Sequence, residues 1–152
     1  MRSNYIRILL ISVTLSLNFT SLKAQEITME VTLKYINGKL GSGYSIDVLR
    51  GVIVARFSEG VEPFREDQVS CKSLDLSTMR YDASQKLFCI NCNGTTKCVD
   101  RQLFVRKIQR DYARFSLPVT LDAKSTEGMK KAFTHMFRLV ADPKYKSSEP
   151  FE

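Results

Sequence analysis

The chain has 152 residues, a formal net charge of +7, 43% hydrophobic residues and four cysteines. That length suits one hydrophobic core and hardly two. The positive excess is moderate and diluted over the chain as a whole, which argues against nucleic acid as a partner.

Residues 1–24 read as an export signal. Arg2 and Arg7 give a positive start, residues 8–17 form an apolar run too short to span a bilayer stably, and Ser21, Leu22, Lys23 and Ala24 lead to a cleavage position before Gln25. Removing them takes the charge to +4, with 20 basic against 16 acidic side chains. The expectation is a periplasmic or secreted product with no stable transmembrane span. Residues 25–143 would form one α+β domain and residues 144–152 a flexible tail.

Within the domain, residues 27–40 fit two patterns. Ile27, Met29, Val31, Leu33 and Tyr35 alternate as in a strand, whereas Met29, Leu33, Ile36 and Leu40 follow a helical stripe. The longer stripe and the glycines at 41 and 43 favour a helix over 29–40. From Tyr44 to Val119 the chain reads as antiparallel strands: 44–50 and 52–57, a loop at 58–65, then a strand region through Val69, Cys71, Leu74 and Leu76. Residues 81–86 connect it to a strand at 87–92, Asn93-Gly94 marks a turn before 95–105, and a polar turn at 106–111 overlaps a final strand at 110–118. Met129, Ala132, Phe133, Met136, Phe137 and Val140 then recur on one face, predicting a helix over 126–140 that caps the sheet. About six or seven strands would make a strongly curved antiparallel sheet or partly open barrel, with a β-sandwich as the alternative.

The cysteines lie at 71, 89, 92 and 98. In an exported chain an even number favours disulfides. Cys92 and Cys98 flank a short turn, and Cys71 and Cys89 could face each other on adjacent strands, so the expected pairs are Cys71–Cys89 and Cys92–Cys98. Two other chemistries use the same residues. Cys89 and Cys92 form a CxxC, the spacing of a thiol–disulfide oxidoreductase, but in a strand rather than at a helix N-terminus. Four thiolates can also hold zinc, although the spacing C-x17-C-x2-C-x5-C contains only one close pair.

No other constellation carries chemistry. His135 is the single histidine and falls off the apolar face of its helix. Asp47, Glu59, Glu62, Glu66 and Asp67 are scattered on turns and strand ends, where carboxylates face solvent. Ser125 near Asp122 lacks a nucleophile-elbow context. Arg101, Arg106, Lys107, Arg110 and Arg114, with Tyr112, form a basic run that fits two readings. The commoner one is a solvated turn partly charge-balanced by Asp100 and Asp111; the other is an interaction edge for an envelope protein or anionic surface. The reading is a non-enzymatic structural or interaction module without a cofactor.

The segments SLKAQ, YINGKL, CNGTTKC and KKAFTHMFRLV, in this order, resemble small exported proteins of unassigned function from Bacteroidetes-type bacteria. The succession of strands closed by a C-terminal helix, over residues 28–141, is similar to the pleckstrin-homology-like superfold. That resemblance implies layout alone and carries over no site residue.

Overall fold

The computed structural model describes residues 27–142 and Lys144. The expected export signal and nearly all of the expected tail lie outside these residues. Helix α1 (Met29–Asn37) is followed by β1 (Tyr44–Leu49), β2 (Val52–Glu59), β3 (Glu62–Ser70), a single 3-10 turn (Cys71–Ser73), β4 (Leu74–Asp82), β5 (Leu87–Cys92), β6 (Val99–Leu103), β7 (Ile108–Tyr112), β8 (Arg114–Pro118) and helix α2 (Ala123–Ala141). All strand pairs are antiparallel. They form a five-stranded sheet in the order β1-β2-β3-β6-β7 and a three-stranded sheet β4-β5-β8. The fold is α+β as expected, but its strands are divided between two sheets that do not close into a barrel, instead of forming the single curved sheet or partly open barrel expected.

Of the two patterns at residues 27–40, the helix forms. The Thr28 hydroxyl accepts from the Val31 N–H at 3.3 Å, satisfying one of the donors a helix start leaves free. Ile36 is fully buried, and Met29 and Leu33 pack against the core. The helix stops at Asn37, three residues early, because Gly38 bonds back to Lys34 and Ile36 as a cap. At the other end of the chain, the Asp122 carboxylate accepts from the Ser125 N–H at 2.6 Å and starts α2 three residues earlier than its apolar stripe indicates. Met129, Phe133 and Met136 are fully buried, and Phe133 stacks on Phe88 of β5 at 5.3 Å between ring centroids. α2 thus seals the core shared by both sheets, as the stripe predicts.

Three strand expectations are corrected. Residues 58–65 are a hairpin, not a loop: β2 and β3 continue to Glu59 and Glu62 around Gly60, whose φ is 61°. Their outer ends project past the core (Val61 is 94% exposed), so no apolar alternation marks them. The strand region through Val69, Cys71 and Leu74 is broken by the 3-10 turn, and the chain passes there from one sheet to the other. Finally, the single strand at 110–118 is two strands separated at Ala113. β7 pairs with β6 in the large sheet and β8 with β5 in the small one. The polar turn ends at Lys107, which takes a φ of 50°.

Candidate interaction site at the seam of the sheets

Strand alternation puts Arg65 and Asp67 of β3 on one face, and the register sets Asp67 opposite Arg101 of β6 and Ala55 of β2. Asp67 is 0% exposed. Its Oδ1 accepts from Arg65 Nε at 2.8 Å and from Arg101 Nε at 2.7 Å, and its Oδ2 accepts from Arg101 Nη2 at 2.8 Å and from Arg65 Nη2. Both guanidinium groups therefore grip one carboxylate in the bidentate manner. Each also lies over an aromatic ring at 4.3 Å: Arg65 over Phe57 and Arg101 over Tyr112. Arg65 Nη2 donates to the Ser116 carbonyl of β8 at 3.0 Å, which ties the large sheet to the small one.

Two cations share one anion, so the cluster carries one net positive charge, and its arginine side chains keep 13% and 14% of their surface exposed. Arg110 on β7 stands opposite Arg101 and leaves the same face. On the small sheet, Arg80 of β4 lies opposite Cys89 and Arg114 of β8 lies opposite Asn91. Arg80 Nη1 donates to Asn91 Oδ1 at 3.4 Å. Arg106 and Lys107 sit exposed in or beside the β6–β7 turn. The basic run expected from sequence thus divides. Arg101 is held inside by Asp67 with Tyr112 beneath it, while Arg106, Lys107, Arg110 and Arg114 are exposed. Asp67 corrects the expectation of a solvent-facing carboxylate, and Arg65 and Arg80 join the band without having been singled out. The one sequence signal for the buried pair is Arg65-x-Asp67, a charge pair with the period of a strand.

The free edges of the sheets differ. Asn37 at the end of α1 blocks β1: its Oδ1 accepts from the Ile46 N–H at 2.7 Å and its Nδ2 donates to the Ile46 carbonyl at 2.9 Å. On β8, Arg65 Nη2 takes the Ser116 carbonyl in the middle of the strand. β4 is interrupted by an irregularity between Asp75 and Arg80. β7 runs in unbroken register with β6, and among the described residues no backbone bond reaches it from its open side between residues 108 and 111. Free, regular edges are the ones that accept another strand.

The cysteines form one bridge. Cys92 and Cys98 are disulfide-bonded with Cα atoms 5.8 Å apart, as expected, whereas Cys71 and Cys89 are buried free thiols. The Cys71–Cys89 pairing fails on parity. Phe88, Ile90 and Cys92 of β5 face the core that also contains Cys71, and Cys89 points to the opposite face, towards Arg80 and Arg114. The same parity separates Cys89 from Cys92, whose sulfur is bonded to Cys98. Burial pushes the Cys71 thiol up to about 11, and burial also raises Cys89 against the lowering influence of Arg114 and Arg80. Titration of the oxidised protein with a thiol reagent should find two thiols after denaturation, four after reduction as well, and slow reaction of both in the native state. Because Cys71 keeps its proton when folded and loses it near 9.0 when unfolded, its contribution to stability is full below pH 9.0 and declines as pH rises towards 11. Cys71→Ala should flatten that part of the stability profile measured by urea unfolding.

His135 is half-exposed; Arg138 Nη2 donates to its Nδ1 at 2.8 Å, so its Nε2 donates to the Ile27 carbonyl at 2.7 Å. Among the described residues there is no group of three or more His, Cys, Asp or Glu side chains placed to hold a metal ion, and no helix long and apolar enough to cross a membrane. Neither the family models nor the curated proteins and solved structures compared with this chain contain a match.

Proposed function

We propose that the protein is an extracytoplasmic, non-enzymatic interaction module that takes an acidic, extended protein segment as an added strand on β7. The observation that carries this reading is the contrast between edges: β1, β8 and β4 are blocked or irregular, whereas β7 is regular and open. Strand addition gains affinity from backbone hydrogen bonds and selectivity from flanking side chains. Here Arg106, Lys107, Arg110 and Arg114 favour carboxylates, and the net charge of the Arg65–Asp67–Arg101 cluster acts in the same direction. The disulfide and the signal-like first 24 residues support the periplasmic or secreted setting. A distant relation to the pleckstrin-homology-like superfold belongs to the same proposal, resting on two antiparallel sheets with a C-terminal helix over their core.

An alternating Glu-Val peptide, its Gln-Val counterpart and a backbone N-methylated Glu-Val form provide the test by fluorescence anisotropy. The Glu-Val peptide should bind, with affinity falling as salt rises. The R106E/R110E variant should weaken it about tenfold, a loss of about 1.4 kcal/mol. N-methylation should abolish binding. Equal binding of all three peptides, or indifference to charge reversal, rules the reading out.

A further inference from the structure

A second surface lies away from β7, on α2. A groove of about 410 Å³ runs between the C-terminal half of α2 and the start of β4; its walls are Leu76, Phe137, Val140 and Ala141, and the buried thiol of Cys71 is at its floor. Lys72 and Arg138 stand at its margin. Across Thr134 and Arg138, which border both, the groove continues into a shallow shelf of about 360 Å³ formed by Lys130, Lys131, His135 and Arg138. Lys130 is paired with Glu127 at 3.2 Å, and Arg138 is bonded to His135, whereas Lys131 is exposed.

We propose that this surface binds a single-chain amphiphile with an anionic head group, as a monomer. The two halves of the surface match the two halves of such a molecule. An apolar trough within the ordinary size range of ligand sites removes a hydrocarbon chain from water, at roughly 0.8 kcal/mol per buried methylene. The side chains that line the shelf are basic or neutral. Glu127 offsets Lys130, but Lys131 and Arg138 place positive charge where the chain's head group would emerge. A bare apolar groove would select no head group; the join at Thr134 and Arg138 selects an anion. This inference does not depend on strand addition, because α2 and β7 share none of the residues involved.

Laurate, dodecyltrimethylammonium and butyrate, all below their micellar concentrations, separate chain from head group when titrated into the oxidised protein by calorimetry with amide chemical-shift mapping. Laurate should bind at least about tenfold more tightly than either of the others, with shifts at Leu76, Thr134, Phe137 and Val140. K131E/R138E should weaken laurate about tenfold while leaving the acidic-peptide affinity of β7 unchanged. Leu76→Glu should abolish laurate binding, and a matching thermal unfolding transition would show that the variant is folded. Equal affinity for the cationic and anionic amphiphiles would overturn the proposal, as would shifts elsewhere. Self-association through this face would assign the groove to a second copy. Binding of laurate only after removal of residues 143–152 would assign it to the chain's own C-terminal segment. Either result would also overturn the proposal.

Discussion

Replacing Asp67 with alanine should destabilise the protein by about 3–5 kcal/mol, because it leaves two largely, though not fully, buried guanidinium groups facing each other without their shared counter-charge. Asp67 is fully buried and accepts four hydrogen bonds from Arg65 and Arg101. The cost comes from charge rather than from volume, so Asp67→Asn should be nearly as damaging despite its shape. Removing all three charges at once is a different experiment. R65M/D67L/R101M should recover most of the loss, since well-packed apolar residues often replace a buried ion cluster at little cost. Urea unfolding of the three variants distinguishes the two contributions. If the alanine and asparagine variants lost less than about 1 kcal/mol, the cluster would behave as a surface ion pair.

Phe133→Ala is the second large effect. Phe133 is fully buried in the middle of α2 and stacks on Phe88, so truncation removes apolar contact from both the helix and the small sheet. A cavity of this kind costs about 3–5 kcal/mol when the surroundings cannot collapse into it, and here strand β5 fixes one wall. Phe133→Leu keeps much of the volume and should cost on the order of 1.5 kcal/mol. Thermal and urea unfolding should place both variants in that order. Similar stabilities for the two would mean that α2 lies loosely on the sheets.

The contrast between these two positions explains what the sequence made legible. Phe133 belongs to a stripe with helical period, and its burial follows from the stripe alone. Asn93-Gly94 and the close spacing of Cys92 and Cys98 marked a turn and its bridge in the same local way. Asp67 gives no such signal, because a carboxylate between Glu66 and Gln68 looks solvent-facing until β6 brings Arg101 against it. The Cys71–Cys89 expectation failed for a related reason: it needed the parity of β5 and the break at the 3-10 turn, both set by long-range packing. The open edge of β7 was hidden as well. Its middle residues are polar and exposed, and the switch of sheets at Ala113 has no composition of its own. The basic residues were visible, but their division into one held by Asp67 and several left outside was not.

Amide hydrogen exchange, followed residue by residue by NMR with and without the Glu-Val peptide, tests the claim that β7 is the edge on which this protein acts. Without peptide, the outward-facing amides of β7 should exchange rapidly, while the Ile46 amide on β1 remains protected by Asn37. With peptide, protection should appear on β7 and leave Ile46 unchanged. β7 amides already protected in the free protein, or new protection appearing on β1 or β4 instead, would contradict the account.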